Sequence, residues 1–151
     1  MKAVVQRVSS AAVKVDGVVR ANIGAGYLVL VGVAPQDGSA EVEALADKLV
    51  HLRLMADADG KMNVSVLEAG GSILLVSQFT LEADIRKGRR PSFTSAAQPE
   101  VAEPLIESLA ERIAELGVNV STGVFGAYME VELVNDGPVT LVVEVAEGSV
   151  K

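Results

Sequence analysis

The last part of the chain places the tightest limit on its fold. Residues 128–134, YMEVELV, alternate apolar and polar side chains at the two-residue period of a β-strand, and residues 139–145, VTLVVEV, resume a strand-like pattern. Such a segment has to be housed in a sheet, and Asn135-Asp136-Gly137 between its halves predicts a hairpin turn. Pro138 fits that prediction poorly. It removes a backbone donor at the start of the second strand, where sheet interiors rarely accept proline, and Asn-Asp-Gly makes a turn without it.

The opening of the chain is strand-like too. KAVVQRVS and AAVKV read as strands, Asp16-Gly17 as a hairpin turn into VVRANI, and GYLVLVGV as a buried strand. A helix is predicted next, with Ser39 as its cap, Glu41 and Glu43 at its positive end, and Val42, Leu45, Leu49 and Leu52 along its apolar face. A short strand near LRLM, a turn at DADGK and the apolar strand SILLVSQF follow. A second helix is marked by Glu100, Glu103, Glu107, Glu111 and Glu115, which alternate with Leu105, Ile106, Leu109, Ile113 and Leu116. Strands at both ends and two separated helices predict an α+β fold. The expected architecture is one β-rich domain over residues 1–151, with an antiparallel or mixed sheet or a barrel-like core and two main helices.

A chain of 151 residues buries about 70% of its unfolded surface, so one core suffices. With three phenylalanines, two tyrosines and no tryptophan, that core must come mainly from Val, Leu, Ile and Ala. The lack of cysteine removes disulfides and thiolate ligands and fits a reducing compartment. Gln6 and Arg7 interrupt the first apolar run before signal-peptide length, and runs such as YLVLVGVA fall far short of a membrane span. The expected setting is cytoplasmic, with no membrane partner.

A formal net charge of −7 speaks against general affinity for nucleic acid, which needs lysine and arginine gathered on one surface. Against that background IRKGRRP places Arg86, Lys87, Arg89 and Arg90 within five residues. On charge alone this is a solvated loop or a local phosphate contact.

Several chemistries are excluded. IGAG at residues 23–26 lacks the third glycine of a dinucleotide fingerprint, and Gly60-Lys61 has neither the upstream glycine nor the hydroxyl residue of a phosphate loop. DADG opens like a calcium loop, but its glycine comes two residues early and no glutamate closes the ligand set. His51, the single histidine, falls toward the end of the first helix, where the helix dipole accounts for it; alone it builds neither a metal cluster nor a serine triad. No metal and no cofactor are expected.

What remains is SQFTL, Ser77 to Leu81, where polar residues break out of a buried strand at its end. Such exits commonly carry sites, and Ser, Gln and Thr offer hydroxyls, an amide and backbone N–H groups. With no histidine base, Ser77 and Thr80 are poorly activated nucleophiles, so backbone donors able to hold an oxyanion are the stronger asset. A strand cap with satisfied hydroxyls would carry the same residues.

SQFTL, KGRRPSF at residues 87–93 and FGAYMEVELVNDGPVT at residues 125–140, in this order and spacing, resemble the D-aminoacyl-tRNA deacylase family. MKAVVQRVSSA and LRLMADADGKMN join the resemblance, which spans nearly the whole chain. It implies hydrolysis of the ester bond of D-aminoacyl-tRNA, with glycyl-tRNA a further substrate and L-aminoacyl-tRNA rejected. It further implies a homodimer with active sites at the subunit interface, where a cis Gly137-Pro138 peptide reaches into the partner's site as a chiral filter. Arg7 would hold that loop and Met129 would line the pocket. Phe79 and Thr80 would supply backbone groups near the ester, Ser77 and Gln78 would shape the pocket, and Arg86, Lys87, Arg89 and Arg90 would meet the tRNA. Water would attack with help from the terminal ribose 2′-hydroxyl, which suits a site without histidine or metal. Glu82 departs from the family, where tyrosine is common; it lies outside SQFT, so the departure bears on at most a peripheral contact, and the role of Glu82 itself is open. Two other functions fit the same residues: a small-molecule ester or amide hydrolase without RNA, and a non-catalytic dimeric RNA-binding module.

Overall fold

The computed structural model describes all 151 residues. Residues Lys2–Val15 form one strand, β1, where the sequence pattern predicted two. Its buried positions are Ala3, Val5, Val8, Ala11 and Val13, so the alternation changes phase after Val5 and again after Val8. Register irregularities between Gln6 and Ser10 absorb both changes, and one strand keeps its apolar face inward throughout. Asp16 and Gly17, at φ of 52° and 75°, make the predicted tight turn into β2, Val18–Ile23. β3, Gly26–Gly32, then continues along the same edge of β1.

The remaining elements are α1 (Ser39–His51), β4 (Met55–Ala56), β5 (Met62–Val64), β6 (Ser72–Ser77), a 3-10 turn (Phe79–Glu82), α2 (Pro99–Glu115), β7 (Asn119–Thr122), β8 (Glu130–Ala146) and β9 (Ser149–Val150). The main sheet has seven strands in the order β7-β6-β3-β1-β8-β9, with β2 beside β1. β3–β6 and β6–β7 are parallel and the other pairs antiparallel, giving a mixed sheet curled into a half-barrel. This is the predicted α+β architecture.

The predicted terminal hairpin does not form. Both halves of the segment belong to β8 and pair with the same edge of β1, Glu130 to Asn135 against Lys14 to Val8, and Thr140 to Glu144 against Gln6 to Lys2. β1 is 14 residues long and offers that whole edge, so the chain runs straight on and extrudes its turn residues. Between the pairs Gln6–Thr140 and Val8–Asn135, β1 advances two residues and β8 advances five, an excess of three. Asp136, Gly137 and Pro138 are therefore a bulge, and the proline stands where no ladder donor is required.

The core has two parts. Ala3, Val5, Tyr27, Val29, Val31, Ile73 and Leu75 on one sheet face pack against Val42, Leu45, Leu49, Ile106, Leu109 and Ile113 of the two helices. Val8, Ala11, Val13, Leu28, Leu74 and Val76 form a smaller cluster inside the curl. β3 and β6 are thus buried on both faces, which is why GYLVLVGV and SILLV read as unbroken apolar runs. α1 is capped differently from the prediction. Ser39 is its first residue, Gly38 precedes it, and the Gly38 N–H donates to Glu41 Oε2 at 2.8 Å. The other oxygen of Glu41 accepts the Gly148 N–H at 2.9 Å, fastening the β8–β9 turn to the start of α1. These N–H groups, Gly148 first, hold the Glu41 carboxyl below its ordinary pKa.

Candidate active site

The site begins where the parallel strands stop. Ser77 pairs with Val31 at the end of β6, and the Gln78 N–H donates to the Val31 carbonyl at 2.7 Å, extending the ladder by one rung. The chain then bends into the 3-10 turn. Gln78 Nε2 donates to Thr80 Oγ1 at 2.6 Å, so the Thr80 hydroxyl serves as an acceptor. His51 lies elsewhere, exposed at the end of α1 with Nδ1 2.9 Å from the Asp47 carbonyl.

A cleft of about 540 Å³ opens at this exit. Its walls come from the strand ends (Val31, Val33, Val76 to Phe79), the approach to α2 (Ala96 to Pro99, Ala102, Ile106) and the connection into β8 (Phe125 to Met129, Val131). Fourteen of its nineteen lining residues are apolar, so orientation of a polar ligand falls to Ser77, Gln78, Gln98 and the backbone. Phe79, 57% exposed, meets Phe93 edge to face with ring centroids 5.1 Å apart, an aromatic pair on the cleft wall. Met129 Sδ accepts the Val124 N–H at 3.4 Å, which holds the thioether in the wall.

The basic loop joins the same region. Asp84 and Ser92 exchange both backbone hydrogen bonds, at 2.8 and 2.9 Å, which pinches residues 85–91 into a loop one residue before Phe93. Arg86 folds back on Asp84 in a two-pronged pair of 2.9 and 2.8 Å, and its guanidinium holds the Asp84 carboxyl well below the usual carboxylate range. Lys87, Arg89 and Arg90 are exposed and form no ion pair within the chain. No carboxylate of α2 pairs with them; the ion pairs of that helix are those of Arg112 with Glu115 and with Glu43 of α1.

Of the residues singled out in the sequence, Ser77, Gln78, Phe79 and Met129 line one cleft and Thr80 adjoins it. Arg7, Gly137 and Pro138 form a second group. Arg7 Nε donates to the Asp136 carbonyl at 2.8 Å and its Nη1 to the Leu54 carbonyl at 2.7 Å, so one guanidinium ties the bulge to the segment after α1. Burial pushes the neighbouring Tyr27 phenol up to about 12, and its hydroxyl donates to Leu52 in the same segment. The Gly137–Pro138 peptide is cis. Gly137 has φ of 148°, and a Cβ there would lie 2.7 Å from the Val139 nitrogen, so only glycine fits. Asn135, read in the sequence as a turn residue, closes the neck of the bulge. Its Oδ1 accepts the Val139 N–H at 2.7 Å and its Nδ2 donates to the Val139 carbonyl and Thr140 Oγ1 at 3.2 and 3.0 Å.

The two groups do not meet within one chain. Ser77 lies level with Val31 and Ala3, while the bulge lies level with Arg7 and Tyr27. Four residues along the strands and three strand spacings separate them, on the order of 20 Å measured over the sheet, and none of Arg7, Gly137 and Pro138 lines the cleft.

Glu82 is not peripheral. It is the last residue of the 3-10 turn and is buried, at 6% exposure. Phe93, Phe125 and Tyr128 sit inside the family-like motifs with no role predicted for them, and their signal was aromatic residues in a chain that has so few.

A strand-end cleft with apolar walls and a few polar groups, with unpaired cations in the loop that leads to its aromatic pair, marks an α+β half-barrel whose cleft suits a ligand with apolar and anionic parts. The chain belongs to the D-Tyr-tRNA(Tyr) deacylase family, whose model matches residues 4–144. It is 57% identical over 147 residues to the D-aminoacyl-tRNA deacylase of Thermomicrobium roseum, covering 97% of this chain and 96% of that one. It is 59% identical over 144 residues to that of Desulfatibacillum aliphaticivorans, covering 95% and 99%. Among solved structures it is similar to the c-Myc DNA Unwinding Element Binding Protein, at 41% identity and a TM-score of 0.92, over 97% of this chain and 99% of that one. A probable eukaryotic D-amino acid tRNA deacylase shares the fold, with a TM-score of 0.79 at 16% identity over 93% and 97%.

Proposed function

We propose that this chain hydrolyses the ester between a D-amino acid and the terminal ribose of tRNA, acts on glycyl-tRNA as well, and rejects L-aminoacyl-tRNA. The observation that carries this is the cleft at the SQFT exit, with polar groups beside apolar and aromatic walls and no histidine in reach. An aromatic pair there suits a terminal nucleobase, since every base has a π-face to stack. Lys87, Arg89 and Arg90 suit the phosphates that follow it, whereas a small-molecule hydrolase has no use for them. Backbone N–H groups of Phe79 and Thr80 stabilise the tetrahedral oxyanion, at about 3 to 4 kcal/mol for a well-placed donor. Water attacks the carbonyl carbon with the ribose 2′-hydroxyl assisting, the bond from that carbon to the ribose 3′-oxygen breaks, and a proton from the attacking water ends on the 3′-oxygen.

The chiral filter is the Gly137-Pro138 bulge of a second copy. Main-chain atoms that Arg7 and Asn135 hold rigid exclude an L side chain sterically and leave a D side chain unhindered. Glycine, with no side chain, passes. The bulge needs a partner because its own cleft is on the order of 20 Å away, and β8 is at the sheet margin with Val134 and Val142 exposed. A cytoplasmic homodimer follows from this function; no helix is long and apolar enough to cross a membrane. The test is kcat/KM on matched D-tyrosyl-, L-tyrosyl- and glycyl-tRNA. Turnover of the D and glycyl substrates with L spared is expected, and tRNA binding without turnover, or hydrolysis of small esters alone, would overturn the assignment.

A further inference from the structure

The 3-10 turn that carries Phe79 and Thr80 ends on a charge in the protein interior. Glu82 Oε2 lies 3.2 Å from Lys2 Nζ, while Oε1 is buried without a hydrogen-bond partner. Lys2 faces Gly32 across the β1–β3 ladder, and Gly32 is the floor on which the turn rests. A Cβ at Gly32 would come within 3.0 Å of Leu81 Cβ, 3.2 Å of the Gln78 carbonyl and 3.4 Å of Glu82 Cγ. The turn is pressed onto one strand where a side chain is missing and pinned by a lysine from the next. Its other side, at Phe79, faces the cleft.

Stability does not explain a glutamate here. Burying a carboxylate with one oxygen unmatched costs more than a single, partly exposed lysine returns, and an apolar side chain of similar size would hold the turn at least as well. Apolar burial is non-directional, however, whereas a charge-assisted contact such as Glu82–Lys2 fixes one point on the turn in direction as well as depth. We propose that Glu82 is a positioning residue for deacylation, setting through Lys2 the orientation in which the turn presents Phe79 and Thr80 to the ester. The assignment rests on the deacylase function proposed above. Displacement of reacting groups by about 1 Å is enough to cost up to about a hundredfold in rate.

The experiment uses the full chain with D-tyrosyl-tRNA and compares wild type, Glu82→Met, Lys2→Met and the double variant in kcat, KM and melting temperature. Glu82→Met is expected to melt no lower than wild type while kcat falls at least about tenfold and KM stays within about twofold. Lys2→Met should also lower kcat, and the double variant should be no worse than Glu82→Met alone, because both act through one contact. Wild-type kcat in either single variant, additive losses in the double, or a melting temperature of Glu82→Met that falls in step with its kcat would overturn the positioning role; Lys2→Met, which leaves the Glu82 carboxylate unpaired, is expected to melt lower. If Glu82→Met does not fold, Lys2→Met, altered at a partly exposed side chain, decides by the same kcat criterion. A wild type inactive on D-tyrosyl-tRNA overturns the deacylase function and this role with it; an active wild type matched by Glu82→Met overturns this role alone.

Discussion

Thr80 separates two chemistries that share one set of atoms. Its hydroxyl accepts a hydrogen bond from Gln78 Nε2, and no histidine lies nearby to take its proton, so it is poorly arranged to attack an ester. Its backbone N–H is independent of the side chain. Thr80→Ala is therefore expected to keep kcat/KM for D-tyrosyl-tRNA within about tenfold of wild type, since the oxyanion donor survives. A covalent nucleophile at Thr80 would instead bring a loss of at least about a thousandfold, and steady-state kinetics with a search for an acyl-enzyme burst tell the two apart. Residues also differ in how well the sequence betrays them. Ser77 and Gln78 announce themselves by breaking an apolar run. Glu82 does not, because a charged residue after a strand exit is ordinarily solvent-facing and nothing local marks its descent toward Lys2.

Among elements, the bulge in β8 shows what alternation cannot encode. A hairpin and a long strand that expels three residues have the same two-residue period on either side of the same Asn-Asp-Gly-Pro, so the sequence identifies the interruption but not the partner. What decided it was the unbroken edge of β1, itself hidden by phase changes around Val8 that made one strand look like two. The order of elements and the two amphipathic helices were legible because each rests on local period and composition alone. The register yields a direct test. Deleting Asp136 to Pro138 removes the excess of three and leaves Gln6, Arg7 and Val8 opposite Thr140, Val139 and Asn135, a regular antiparallel run. The deletion variant should fold, lower D-tyrosyl-tRNA turnover at least about tenfold and narrow the D/L ratio; wild-type turnover and ratio would remove the bulge from catalysis. The basic loop makes a different claim. Arg86 is committed to Asp84, so the cations available to phosphate are Lys87, Arg89 and Arg90. Replacing Arg89 and Arg90 with alanine should lower the log-log salt slope of tRNA binding by about 0.7 to 0.9 for each phosphate that is no longer neutralised, with the melting temperature unchanged. An unaltered slope would make the loop a bystander.

For the whole molecule, the proposed filter joins a cleft and a bulge that lie on the order of 20 Å apart along the sheet of one chain, so it requires two chains to combine. In a two-fold dimer each site would join the cleft of one protomer to the bulge of its partner, which makes the two defects complementary. Ala102→Trp fills the cleft wall beside α2 and leaves the bulge intact, while the deletion of Asp136 to Pro138 leaves the cleft intact. Each variant alone should hydrolyse D-tyrosyl-tRNA poorly. When equal amounts are unfolded and refolded together, about half of the dimers are mixed, and in each of those one site receives both good parts while the other receives both defects. About a quarter of all sites should then regain D-selective turnover, a recovery that a site contained within one chain cannot produce. Recovery should vanish when the variants are refolded separately and assayed before their subunits exchange. If the co-refolded mixture gives no more than the sum of its two parents while size-exclusion chromatography shows mixed dimers, the bridging site is wrong and the bulge must act on its own chain.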